Sequence, residues 1–215
     1  FEGLEVSGSV GPGVHSTSGG AMQGSDWVLH NNTKQGIIVD RATVHIEGMH
    51  LADNGYSGAH VLDARSVNFW NLTSENNGAS SGASTSEQAG MYYEEANDVD
   101  SSSGDVRCRN CTVTGSQGHG ILAIDSVDLW LEGVELRGNN PSLPALEVDN
   151  SRAMPAGASG RVHLTNLEVH AESPGHPAVK LERTAVEVNG LSMSGNHTGI
   201  EWNGENNGQF PSYLN

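Results

Sequence analysis

Apolar and polar residues alternate along this chain in short bursts, and the bursts repeat. The frame φ-x-φ-x-(Asn or Gly)-φ-x-φ, with φ apolar, recurs as VHIEGMHL (44–51), VNFWNLTS (67–74), VRCRNCTV (106–113), LWLEGVEL (129–136), VHLTNLEV (162–169) and VEVNGLSM (186–193). A degenerate copy, WVLHNNTK, starts at Trp27, and GLEV (3–6) matches the second half of another. Between copies lies a second frame, (Gly or Pro)-x-φ-x-φ-(Asp or Glu), as in GAHVLD, GILAID, PALEVD and PAVKLE, with looser forms GIIVD, GMYYEE and GIEWN. Copies starting at 44 and 67, 106 and 129, and 162 and 186 lie 23, 23 and 24 residues apart. The longer intervals carry insertions rich in Ser, Gly and Ala.

Each repeat predicts three short strands, two of them joined through a one-residue kink. Alternation sends every second side chain inward, and Asn or Gly at the kink suits a left-handed backbone conformation. Strands repeated at this period stack as coils about 4.8 Å apart. The expected architecture is all-β: a right-handed single-stranded parallel β-helix forming one domain over residues 1–215, with about seven or eight coils and a length of roughly 40 Å. The stretches GILAIDSVDLWLEGVELRGNN and GAHVLDARSVNFWNLTSENN resemble the parallel β-helix repeat of the pectin-lyase-like superfamily, from about residue 3 to 203. The resemblance implies the fold. It implies no single activity, because that superfamily spans lyases, hydrolases, epimerases, tailspikes, adhesins and inert surface proteins.

Composition agrees with a thin, turn-rich β architecture: 28 glycines and only 35% hydrophobic residues suit a core one aliphatic layer wide. A formal charge of −16, with Lys and Arg numbering 10, argues against nucleic acid and anionic membrane partners, which reward clustered cations. No apolar run approaches the roughly 18 residues of a membrane span. An extracellular or cell-surface setting is expected, and the start at Phe1 suggests a processed chain or a piece of a longer one. Glycosylation sequons begin at Asn31, Asn71, Asn110 and Asn196.

Cys108 and Cys111, the only cysteines, have the spacing of a metal or redox motif. Their frame positions are filled elsewhere by Ile46 and Met49, Phe69 and Leu72, or Leu131 and Val134, so both are expected to point into the core as a packing pair. Buried thiols and a local disulfide both fit that placement. A zinc site would need two more ligands from a core with few to offer.

Function must come from outward positions, turns and insertions. The insertions are 78–89, 96–105 and 150–161, and the first two bracket the strand GMYYEE. In pectin-lyase-like proteins long turns beside this strand often shape the substrate groove, so the resemblance implicates Tyr92, Glu94 and Glu95. Glu95, Asp98, Asp100 and Asp105 offer hard oxygen ligands that suit calcium; a solvated acidic loop is the plainer alternative. The strand-terminal acids Asp40, Asp63, Glu95, Asp125, Asp149 and Glu182 are expected to form a column, satisfied by turn N–H groups or holding cations.

Two outward columns read His45, Asn68, Arg107, Trp130, His163, Glu187 and Glu47, Trp70, Arg109, Glu132, Thr165, Asn189. Trp70 and Trp130 beside Arg107 and Arg109 combine flat rings with hydrogen-bonding groups, as glycan sites do; a Trp–Arg stack that covers the sheet is the plainer alternative. A further outward stripe, Ile38, Val61, Tyr92 and Ala123, turns charged at Glu147, Lys180 and Glu201, while His60 falls at a core position. SQGHGILAI resembles the Gly-His-Gly of polygalacturonases, but their paired acids and downstream R-I-K have no counterpart, so His119 is expected to be a turn residue. Phe210, Tyr213 and Leu214 can cap the C-terminal coil; with no N-terminal cap evident, homotypic end-to-end stacking is a further expectation.

These residues point to a secreted or cell-surface module with a structural or adhesive role, contacting glycans or neighbouring subunits. It requires no cofactor, and calcium is the one metal its residues suggest. The alternative is a polysaccharide lyase or hydrolase working in the groove around residues 78–105.

Overall fold

The structure, a computed structural model, describes residues 1–17, 19–64, 66–94, 106–125, 128–150 and 160–203. The strands begin with β1 (Glu5–Ser7), β2 (Val14–Thr17), β3 (Ala21–His30), β4 (Ile37–Asp40), β5 (Thr43–Ala52), β6 (Ala59–Leu62) and β7 (Ser66–Glu75). The middle of the chain supplies β8 (Met91–Glu94), β9 (Val106–Arg109), β10 (Thr112–Thr114), β11 (Ile121–Ile124), β12 (Leu129–Glu132) and β13 (Glu135–Arg137). It ends with β14 (Leu146–Asp149), β15 (Gly160–His170), β16 (Val179–Glu182), β17 (Thr184–Ser194) and β18 (Ile200–Asn203). A bent first sheet of ten strands holds β1, β3, β5, β7, β9, β10, β12, β13, β15 and β17; a second sheet stacks the other eight. Every pairing between these strands is parallel, as coils stacked in register require.

Because coils repeat in register, like residues stack on like. Ile46, Phe69, Cys108, Leu131 and Leu164 form one such column, and all are buried. Cys108 and Cys111 are joined in a disulfide across the Asn110 bend, with Cα atoms 6.1 Å apart. Of the readings open to this pair, the disulfide is the one formed; a loop this short gains little from closure. The bend runs down the first sheet as Gly3, Asp26, Gly48, Asn71, Asn110, Gly133, Asn166 and Gly190, all with φ between 51° and 85°. The first complete bend is Asp26, since Trp27 pairs with Met49. The first frame is therefore MQGSDWVL (22–29), and WVLHNNTK is its second half running into a turn.

Two expectations about the second sheet need correction. Ile37 pairs with Ala59 and Ile121 with Leu146, so Val61 and Ala123 point inward while His60 and Leu122 point outward. A shift of one residue flips every side chain of a strand. For the same reason the acids do not form one column. Asp40, Asp149 and Glu182 end their strands, whereas Asp63 and Asp125 lie one residue later in left-handed turns, with φ of 47° and 49°.

The turn leading from the first sheet to the second contains an internal asparagine ladder. Asn54 Oδ1 accepts from Asn32 Nδ2 at 3.0 Å, and Asn54 Nδ2 donates to Asn77 Oδ1 at 2.9 Å. Further along, Asn139 Oδ1 accepts from the Ser116 N–H at 3.1 Å. Gly36, Gly58, Gly90 and Gly120, which open the second-sheet frames, pack directly against this line.

Candidate functional site

The outer face of the first sheet carries the most connected surface cluster. Pairing places Asn68 beside Arg107, Arg107 beside Trp130, and Trp130 beside His163. The second column runs Trp70, Arg109, Glu132 in the same way. The Trp130 ring stacks on His163 at 3.6 Å between centroids, and the Arg107 guanidinium sits 4.6 Å from its centre. Trp70 has Arg109 at 5.5 Å and meets His45 edge-on at 6.4 Å. Glu132 ties the two arginines together: Arg109 Nε lies 2.7 Å from Oε2 and Arg107 Nη1 3.9 Å from Oε1. His163 continues the chain to Glu187 at 2.9 Å.

Trp70, Trp130, Arg107 and Arg109 are thus brought together as the columns predict, and all are half-buried. The rings stand interleaved between charged groups. A sugar stacking on Trp130 would have to displace Arg107 or His163, so a ligand on this face meets ring edges, guanidinium N–H groups and the Glu132 carboxylate.

Tyr92 lies elsewhere, on the outer face of the second sheet. It is 5% exposed and packs with Ala89, Leu122 and Ile124 in a small apolar cluster. His60 stacks on it at 4.6 Å and approaches Glu94 at 3.4 Å. Two coils along, His119 Nδ1 lies 3.0 Å from the Pro144 carbonyl and 3.6 Å from Glu147. Lys180 bridges Glu147 and Glu182 at 3.0 and 3.1 Å. Burial opposes its charge, but the hydrogen bonds and charges of the two glutamates prevail and push its pKa up to about 12. His119 is a buried turn residue, as the sequence suggests, and its imidazole serves this charged row. Sequence reasoning missed His60 because its strand was placed one residue out of register. Glu95, Asp98, Asp100 and Asp105 lie outside the described residues, as do most of insertion 150–161 and the residues Phe210, Tyr213 and Leu214. Among the described residues no group of three or more His, Cys, Asp or Glu is placed to hold a metal ion.

Burial lowers the pKa of His60, against Glu94, Glu87 and Asp40, which favour its charged form. Burial also lowers that of His119, against Glu147 and the Pro144 carbonyl, with Lys180 adding to the lowering. Both are protonated more readily in the unfolded chain, so unfolding takes up protons once pH falls below the ordinary histidine value of 6.5. The stability these two groups supply is present above that value and lost as pH falls through their folded pKa values. The urea midpoint is expected to drop between about pH 7.5 and 5.5, and to drop less in a His60→Gln/His119→Gln variant. An equal or larger drop in the variant would show that the pair does not contribute.

No protein-family model and no curated protein matches the sequence. Among solved structures, the A-module of the mannuronan C-5 epimerase AlgE4 from Azotobacter vinelandii is similar, with a TM-score of 0.58 and 13% identity over 86% of this chain. The likeness covers 57% of that module. At this identity it shows the fold alone: the right-handed parallel β-helix that the repeat and the pectin-lyase-like resemblance lead one to expect.

Proposed function

We propose that this chain is an extracellular β-helix module that contacts an extended glycan over the outer face of its first sheet, in an adhesive or structural role. The observation that carries the reading is the half-exposed ladder from His45 to Glu187, in which each side chain is held by the next. Such a row is pre-organised, so little side-chain entropy is lost when a ligand lies along it. Its rungs repeat at the strand spacing of about 4.8 Å, which suits a polymer of repeating units. The Cys108–Cys111 disulfide supports an oxidising, extracellular setting, and the fold neighbour is named as an enzyme of mannuronan.

A glycan array with neutral and uronate polymers, read with calcium and with EDTA, tests this. Binding is expected, and Arg109→Ala should weaken it about tenfold or more, the loss of one charge-assisted hydrogen bond, with little change in Tm. Binding lost in EDTA would bring calcium and the acidic loop 96–105 into the site. A wild-type chain that binds no glycan would overturn the reading.

One observation favours a second reading. Burial against Tyr92 favours the neutral form of His60, the form a general base uses, while Glu94 opposes it. If polysaccharide is turned over on this face of the second sheet, His60→Gln should abolish the turnover and leave first-sheet binding intact.

A further inference from the structure

The outer surface of the first sheet turns a corner along its bend column, where Gly48, Gly133 and Gly190 are among the positions that carry no side chain. Where asparagine follows asparagine, the side chains stack: Asn110 Nδ2 donates to Asn71 Oδ1 at 3.3 Å. The next residue in the column is Gly133. Having no side chain, it leaves a cleft of about 320 Å³ between Asn110 and Asn166, walled by Thr112, Glu135 and Glu168. The three wall residues are neighbours on successive strands. Asn110 Oδ1 leans over the gap, 2.9 Å from where a Gly133 Cβ would lie.

The chemistry of the walls selects the ligand. Arg137 Nη1 holds Glu135 Oε1 at 3.1 Å, and His170 Nε2 holds Glu168 Oε1 at 3.0 Å. Each carboxylate is thereby oriented, with its second oxygen left to accept a hydrogen bond. Thr112 can donate or accept, and the asparagine amides add both kinds of group. The lining itself contains no cation, so an anion finds no direct charged partner among the wall residues. The volume is at the low end for small-molecule sites and leaves room for one or two sugar rings.

We propose that this cleft binds a neutral, hydroxyl-rich pyranose unit, its hydroxyls donating to Glu135 and Glu168, and that Gly133 is what keeps it open. The inference rests on the glycan-contacting reading above and extends that surface one step around the bend.

Gly133→Asn provides the test. Asparagine tolerates the left-handed backbone, and the Asn71–Asn110 pair shows that two can stack here once the Asn110 amide turns aside, so the variant should fold with a small fall in Tm while filling the cleft. Calorimetric titration with neutral oligosaccharides and with oligouronates is expected to show preference for the neutral set. Gly133→Asn should weaken that binding at least tenfold. Should it fold poorly, Glu135→Gln/Glu168→Gln leaves the cleft open and should weaken binding at least tenfold as well. Unchanged binding in a folded Gly133→Asn chain, or in the double Gln variant, would overturn the cleft and leave the module a glycan binder. Preference for oligouronates would overturn the ligand class. Only a wild-type chain that binds neither set would overturn the parent reading too.

Discussion

Asn54→Ala is expected to lower the unfolding free energy by about 4 kcal/mol, because it leaves several buried groups unpaired at once and each costs about 1–3 kcal/mol. Asn54 is fully buried, and its amide is saturated. Oδ1 accepts from the Asn32 N–H at 3.2 Å and from Asn32 Nδ2 at 3.0 Å. Nδ2 donates to the Leu29 carbonyl at 3.0 Å and to Asn77 Oδ1 at 2.9 Å. Alanine strands the Asn32 donors on one side and loosens the Asn77 acceptor on the other, so one substitution is felt in three coils. For a chain of this size the expected fall in Tm is roughly 8–16 °C. Asn54→Asp should be no better: it keeps the shape but aims a carboxylate at two acceptors and buries its charge. A Tm within about 2 °C of wild type for Asn54→Ala, within the scatter of ordinary surface substitutions, would mean that the ladder is not a source of stability.

The ladder also shows where reading residues in order stops short. The doublets Asn31–Asn32, Asp53–Asn54, Asn76–Asn77 and Gly138–Asn139 occupy the same turn of their coils, with Gly115–Ser116 standing between the last two, yet Asn and Gly there look like ordinary turn formers. In fact the two members have different tasks. The first takes the left-handed conformation, with φ of 53°, 52°, 53° and 57°, and the second turns its amide inward. The bend column was legible because one backbone requirement admits few residue types. The second-sheet register was not legible, because Asp63 and Asp149 look alike while one follows its strand and the other ends it. That ambiguity of one residue is what hid His60.

In-register stacking made the Trp70, Arg107, Arg109, Trp130 cluster computable from the repeat: the same frame position in adjacent coils must touch. How the rings sit between the arginines depends on rotamers, which no frame encodes. The cleft at Gly133 is harder still, since its defining feature is an absent side chain in a column where glycine already has a backbone reason to occur.

Gly90→Ala is the second large effect, expected to cost about 2–3 kcal/mol, the upper range for overpacking. Its origin is space and not backbone conformation, since Gly90 is not among the residues of positive φ. A Cβ there would lie 2.2 Å from Val113 Cγ1, 2.5 Å from Ser116 Oγ and 2.9 Å from the Gly120 carbonyl, all in the next coil. The valine can rotate, but the carbonyl cannot retreat. The Gly90 N–H donates to the His119 carbonyl at 2.9 Å, and its own carbonyl accepts from Ser74 Oγ at 2.9 Å, so backbone relief would loosen two further hydrogen bonds. Gly11→Ala is the matched control. No atom lies within 4 Å of its would-be Cβ, and its φ is ordinary, so a gain of about 0.4–1 kcal/mol is expected from the less flexible unfolded chain. Opposite signs for the same chemical change, measured by urea denaturation, would show that the leading glycine of the second-sheet frame is selected by the coil stacked against it. Adding Val113→Ala should recover part of the Gly90→Ala loss by removing the shortest clash. If the double variant is instead worse by the full sum of the two single costs, the contact with Val113 is not the cause, and the strain belongs to Ser116 Oγ and the Gly120 carbonyl.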